Sequence, residues 1–199
     1  MFIQIVQGVA ADEAAMRRQW DRWLADVAGG AIGWLGSTAG VAADGRFVAA
    51  ARFESEEAAA ANSARPEQGA WWQETSRHLE RPSFVDCREV DVVLTGGSDD
   101  AGFVQFMHAG VRDRARMRAI EEEAADRLAE LRPDLLGALR AWHPDGPVTA
   151  IDYFTSEADA RKGESQELPP DDAALFAEWM SLIEGPEFID LPSPWLARP

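Results

Sequence analysis

One cysteine in 199 residues leaves no partner for an intramolecular disulfide, which fits a reducing, cytoplasmic setting. Cys87 ends the strand-like run Phe84-Val85-Asp86-Cys87, where cysteine serves as a small buried hydrophobe. No thiolate-stabilising partner accompanies it, so it reads as core rather than nucleophile. Positive charge is also scarce. Nineteen Lys and Arg stand against 35 Asp and Glu, a net charge of −16, and a field of that sign repels phosphate backbones and anionic lipid surfaces. Neither nucleic acid nor a membrane is an expected partner. No apolar run approaches the length that spans a bilayer, and the N-terminus lacks the basic and apolar segments of a signal peptide. His, Cys and carboxylates never recur at metal-ligand spacing, so no metal is expected. A Ser–His–Asp order and a glycine-rich phosphate loop are equally missing. The 46% hydrophobic content is enough for a sizeable core.

What the chain does have is a repeat. Phe2-Ile3-Gln4-Ile5-Val6-Gln7 returns as Phe103-Val104-Gln105-Phe106-Met107-His108, 101 positions later. Met16-Arg17 returns as Met117-Arg118, Asp44-Gly45 as Asp145-Gly146, and Phe53-x-Ser55-Glu56 as Phe154-x-Ser156-Glu157. After a small insertion Pro82-x-Phe84-x-Asp86 answers Pro186-x-Phe188-x-Asp190. A period this long marks two copies of one supersecondary unit.

Each copy has the same plan. Phe2–Gln7 reads as a strand, and Asp12 caps a helix carrying Met16, Trp20, Trp23, Leu24 and Val27 at helical spacing, ended by Gly29-Gly30. Trp34–Gly40 and Arg46–Phe53 form a hairpin around Asp44-Gly45. Ser55 caps the alanine-rich helix, Pro66 starts a further segment reaching about Leu79, and Phe84–Val90 is the fourth strand. The second copy repeats this from Phe103: a helix from Asp113, a hairpin around Asp145-Gly146, helices from Ser156 and Pro169-Pro170, and a last strand at Phe188–Leu191. Glu121-Glu122-Glu123 reads as a solvated helix face. The Pro-rich tail from Pro192 reads as extended, with Trp195 latching onto the body. The order β-α-β-β-α-β is the ferredoxin-like arrangement. The expected domains are residues 1–94 and 102–199, joined by a polar linker over 95–101. Helices on one side leave each sheet with an apolar face to cover. The expected fold is therefore α+β, with the two antiparallel sheets packing into one barrel-like body.

The segment Phe53-Glu54-Ser55-Glu56-Glu57-Ala58, followed by Ser63-Ala64-Arg65-Pro66-Glu67-Gln68-Gly69-Ala70-Trp71-Trp72, resembles the antibiotic biosynthesis monooxygenase domains of the dimeric α+β barrel superfamily. Members of that family pair two single-domain chains, whereas this chain resembles a tandem fusion of both. The motif is clear only in the first copy. In the second, Glu167-Leu168-Pro169-Pro170 replaces the proline turn and Phe176 stands near the position of Trp72, so a working pocket is expected in the first. The superfamily includes cofactor-free oxygenases of quinol-like aromatics, haem-degrading enzymes and members without established activity.

Two readings follow. One is a cofactor-free oxygenase whose small aromatic substrate is walled by Phe53, Trp71 and Trp72, oriented by Gln4, and deprotonated by His78 or Asp152. Gln105 repeats Gln4 in the second copy, and both amides can orient a ligand without transferring protons. The other is a non-catalytic barrel that binds an apolar small molecule or serves assembly through its outer strands or helices. His78 lies seven residues after Trp71, on one face of the predicted helix. Haem-degrading relatives carry a helix-borne Trp and His with an Asn on the first strand. Here the Trp–His interval is shorter and Gln4 and Gln7 occupy the first strand, so a last-turn histidine complementing the helix dipole is preferred to a haem ligand, and no cofactor is expected. Asp152 occupies the position of Ala51 in the first copy. Buried, it is a base with a raised pKa; near an edge and solvated, the preferred reading, it is not.

Overall fold

Short apolar runs buried on both faces belong inside a sheet, and β1 (Phe2–Ala10) is placed there. In the computed structural model, which describes residues 1–199, it pairs antiparallel with β3 (Arg46–Phe53) on one side and β4 (Leu79–Cys87) on the other. The Asp12 carboxylate accepts a hydrogen bond from Ala15 N at 3.1 Å and opens α1 (Glu13–Asp26), satisfying one of the amides that every helix start leaves unpaired. β2 (Trp34–Val41) turns into β3 at Gly45, whose φ of 85° is the left-handed conformation such a turn requires. Ser55 caps α2 (Glu56–Ser63), and α3 (Pro66–Thr75) starts on its proline, where the missing N–H costs nothing. After β5 (Glu89–Leu94) the plan repeats with β6 (Phe103–Val111), α4 (Arg114–Leu131), β7 (Leu135–Trp142), β8 (Val148–Phe154), α5 (Glu157–Glu164), α6 (Pro170–Ser181), β9 (Ile183–Leu191) and β10 (Trp195–Ala197). No helix is long and apolar enough to cross a membrane.

The fold is α+β, with two five-stranded antiparallel sheets ordered β10-β2-β3-β1-β4 and β5-β7-β8-β6-β9. Their pairing follows the sequence repeat: Gln4 faces Ala51 as Gln105 faces Asp152, and Ser37 faces Ala51 as Ala138 faces Asp152. The chain forms two units, Met1–Val90 with Ser193–Pro199, and Asp91–Pro192. Each sheet thus takes its outermost strand from beyond the end of the other copy. β10 pairs with β2 through Trp195–Ala39, Leu196–Thr38 and Ala197–Ser37. Gly36 permits the approach: its φ is 132°, and a Cβ there would meet the Ala197 carbonyl at 2.8 Å. The expected latch at Trp195 is therefore a strand.

Two helical expectations change. α3 stops at Thr75, whose hydroxyl bonds back to the Trp71 carbonyl at 2.9 Å, and a 3₁₀ turn over Ser76–His78 leads into β4. Trp71 and His78 therefore do not share one helical face. Glu121, read as solvated, turns inward from α4, with its side chain 12% exposed, to meet Arg140 of β7 at 2.8 Å.

That arginine centres the second unit. Its Nη1 meets Asp152 of β8 at 2.7 Å, and Trp179 of α6 donates its indole N–H to Glu121 at 3.3 Å. Asp152 is therefore neither a base in an apolar pocket nor an edge residue in solvent. β8 is the middle strand of its sheet, and the carboxylate is committed to a guanidinium. Burial strips water from Arg140 and opposes its charge, yet Asp152 and Glu121 more than offset this and hold its pKa above the ordinary arginine value.

His143, at the hairpin end of the same unit, bonds Thr149 at 2.8 Å, with its ring centroid 4.8 Å from that of His108. Burial, then the neighbouring His108, push its pKa down, against a weaker opposing pull from Asp145. A histidine depressed on folding contributes stability that is complete above the ordinary value of about 6.5 and is lost between that value and its lower folded one as pH falls. Between pH 7.5 and 5, thermal unfolding should show a smaller Tm decrease for His143→Gln than for the native protein. Equal decreases would refute this linkage.

Candidate functional site

The first unit builds a chamber between the helix-facing side of its sheet and its three helices. Strand alternation puts Phe47, Ala49, Ala51 and Phe53 of β3 on that face, beside Gln4 and Val6 of β1 and Ser37 of β2. Met16, Trp20 and Trp23 approach from α1, Asn62 from the last turn of α2, and Gln68, Trp71, Trp72 and Thr75 from α3. Phe84 of β4 and Trp195 of β10 complete the wall. The alanines on β3 leave room that larger residues would fill. The result is a cavity of about 270 Å³.

Aromatic rings support one another around it. Trp23 meets Trp34 edge-on at 4.9 Å and Trp71 at 6.3 Å, while Trp72 meets Phe84 edge-on at 4.9 Å. Trp195 packs at 6.1 Å from Trp20 and 6.3 Å from Phe47, with the Arg17 guanidinium 5.5 Å from its ring centre. Such tilted and edge-to-face pairs are favourable geometries for ring quadrupoles, and they fix the side chains that form the wall.

Three amides interrupt the apolar lining, each held by a partner that settles its orientation. Gln4 donates through Nε2 to Asp86 at 2.9 Å. A carboxylate can only accept, so Gln4 presents its carbonyl oxygen. Asn62 accepts through Oδ1 from Arg65 at 2.9 Å and so presents N–H donors. Gln68 accepts from the Trp23 indole at 2.7 Å and also presents donors. Arg65 is fixed in turn by the Val27 carbonyl at 3.1 Å. The amides therefore offer one acceptor and two donor groups beside the hydroxyls of Ser37, Ser63 and Thr75, and none of the lining residues is Asp, Glu, His, Lys or Arg.

Of the residues singled out in the sequence, Gln4, Phe53, Trp71 and Trp72 are brought together here. His78 is not: it is half-buried in the 3₁₀ turn, where its carbonyl accepts from Ala11 N at 3.1 Å. Gln105 repeats the Gln4 contact in the second unit, donating to Asp190 at 2.8 Å. Asp152 belongs to the Arg140 cluster. Asn62 and Gln68 escaped the sequence reading, although Gln68 precedes Trp72 by one helical turn and so shares its face. The wall carries no His, Cys or Tyr, and Met16 is its one side chain of a type that ligates haem iron.

No family model and no curated protein sequence matches the chain. Solved structures do. A protein of Lactobacillus acidophilus described as a putative monooxygenase is 12% identical, with a TM-score of 0.76 over 99% of this chain and 95% of its own. A Fusobacterium nucleatum protein described in the same way is 9% identical, with a TM-score of 0.79 over 99% of this chain and 94% of its own. An anthrone oxidase-like protein is 13% identical, with a TM-score of 0.57 over 95% of this chain and 89% of its own. These likenesses show the fold alone: an α+β chain of two ferredoxin-like units in tandem, the fold expected from the sequence repeat.

Proposed function

We propose that the first unit binds a neutral aromatic molecule of about two fused rings bearing a hydroxyl group, and oxidises it as a monooxygenase-like, cofactor-free enzyme. The observation that carries the reading is the cavity of about 270 Å³, walled by Trp and Phe, that holds amides and no ionisable side chain. An apolar cavity of about 150 Å³ accommodates benzene, so this one suits a bicyclic ring system. A ligand carrying a full charge would lose its hydration without gaining a counter-charge. A hydroxyl donates to the Gln4 carbonyl oxygen, while an oxygen elsewhere on the ring accepts from Asn62 or Gln68.

An electron-rich phenol needs no other reductant. One oxygen atom of dioxygen becomes the second carbonyl of a quinone, and the other leaves as water with the displaced ring hydrogen and the hydroxyl hydrogen. The wall therefore needs only to hold the phenol and orient it. Gln4 cannot take the hydroxyl proton, which leaves to water. The fold shared with proteins described as monooxygenases supports the oxidative reading. The lack of an acid or base in the wall favours a second one, binding without turnover.

One measurement tests the neutral ligand that both readings share, and a second separates turnover from binding. In equilibrium dialysis 1-naphthol is expected to bind at least tenfold more tightly than 1-naphthoate, and equal affinities would sink the neutral-ligand reading. In an oxygen electrode, protein-dependent uptake with a dihydroxynaphthalene above the autoxidation rate supports turnover, and its absence leaves the binding reading. Asp86→Asn replaces an acceptor-only partner with one that can also donate, so either orientation of the Gln4 amide is then paired and its carbonyl is no longer held toward the cavity. The loss of one oriented hydrogen bond, about 0.5–1.5 kcal/mol, corresponds to roughly 2- to 10-fold weaker naphthol binding. No such loss should occur for naphthalene, which has no hydroxyl.

A further inference from the structure

The two copies align at a separation of 101 up to their second helices and of 104 after a small insertion, so what fills one can be read against what lines the other. Ala51 of β3 corresponds to Asp152 of β8, and Ala39 of β2 to Arg140 of β7, through identical strand pairings. Trp20 and Glu121 each lie eight residues after the aspartate that caps their helix. Thr75 and Trp179 each lie nine residues after the proline that starts theirs. In the first unit Trp20, Ala51 and Thr75 line the cavity. In the second, the corresponding Glu121, Asp152 and Trp179 converge with Arg140 in one bonded cluster, at 2.8, 2.7 and 3.3 Å. Two of the wall's tryptophans are gone as well: Ala124 stands for Trp23 and Leu175 for Trp71.

We infer that the protein has a single small-molecule site per chain, in the first unit, and that the corresponding chamber of the second is closed by the side chains of Arg140, Asp152, Glu121 and Trp179. This rests on the reading of the first unit as a neutral-aromatic site. The reason is steric and electrostatic together. Three side chains larger than Ala, Ala and Thr occupy the corresponding positions, and a guanidinium between two carboxylates is displaced by an apolar ring only at the cost of unpaired buried charge. The second unit keeps the fold of a binding unit with a polar plug in its core, so the duplication has left one site and one scaffold.

Equilibrium dialysis of the intact chain with 1-naphthol tests this. Saturation is expected at one naphthol per chain, and Ala51→Leu, which fills the first chamber, should abolish it. In the Ala51→Leu background, adding Glu121→Trp, Arg140→Ala, Asp152→Ala and Trp179→Thr gives the second unit the first unit's residues at the four plug positions and should open one site there. Saturation at two per chain in the native protein, or full binding by Ala51→Leu, overturns the single-site assignment while leaving a ligand-binding function intact. A folded multiple variant that binds nothing overturns the role of the plug. If that variant does not fold, the native and Ala51→Leu stoichiometries decide. No naphthol binding by the native chain defeats the functional reading itself, and this inference with it.

Discussion

Arg140→Met is expected to cost the protein about 3–5 kcal/mol, the largest single effect on stability foreseen here. The Arg140 side chain is 8% exposed and is held between Glu121 and Asp152, whose side chains are 12% and 19% exposed. Methionine fills much of the same volume, so little of the loss comes from an empty space. It comes from two largely buried carboxylates left without their cation. The companion variant makes the argument specific. Replacing all three charges together, as Arg140→Met, Glu121→Leu and Asp152→Ala, removes the desolvation along with the attraction, and buried ion clusters replaced this way are often neutral or stabilising. Denaturant titration should therefore show a large loss in the single variant and recovery of most of it in the triple. A single variant within about 1 kcal/mol of the native protein would show the cluster to be solvated and energetically slight.

The second large effect is on binding. Ala51 faces the cavity from the middle of β3, and Leu at that position adds three carbons into the space a ligand ring would fill. Affinity for 1-naphthol is expected to fall more than 100-fold. Stability should hold or rise, because filling an existing cavity commonly adds about 0.5–2 kcal/mol. The opposite signs are diagnostic. Lost binding accompanied by lost stability would point to a disturbed sheet rather than an occupied site, and unchanged binding would move the ligand elsewhere.

Much of this arrangement was legible in the residues. The caps at Asp12, Ser55, Asp113 and Ser156 and the glycine turns at Gly45 and Gly146 are local signals whose physics needs no distant partner, so the repeated plan could be read directly. Gln4, Phe53, Trp71 and Trp72 could be grouped because strand and helix periodicities bring them to one layer. His78 was misplaced by a local event, the end of α3 at Thr75, which a continuous helical pattern conceals. The start of β4 was missed because Glu80, Arg81, Pro82 and Ser83 are polar and exposed. That is what an edge strand permits, and Pro82 is tolerated because β4 lies at the sheet edge. The exchanged strands were beyond reach for another reason: Trp195–Ala197 becomes a strand only by pairing with β2, more than 150 positions earlier in the chain. The Arg140 cluster was hidden in the same way, since an Arg in an apolar strand, an Asp in the next and a Glu in an acidic run look unrelated until the fold brings them together.

The most direct test of the account is a crystal structure of the protein with 1-naphthol. The ring is expected among Trp20, Trp23, Trp71 and Trp72 of the first unit, with its hydroxyl about 2.5–3.0 Å from the Gln4 carbonyl oxygen and the Arg140 cluster of the second unit undisturbed. Naphthol bound in the second unit, or at the surface with the first unit's cavity collapsed, would contradict it.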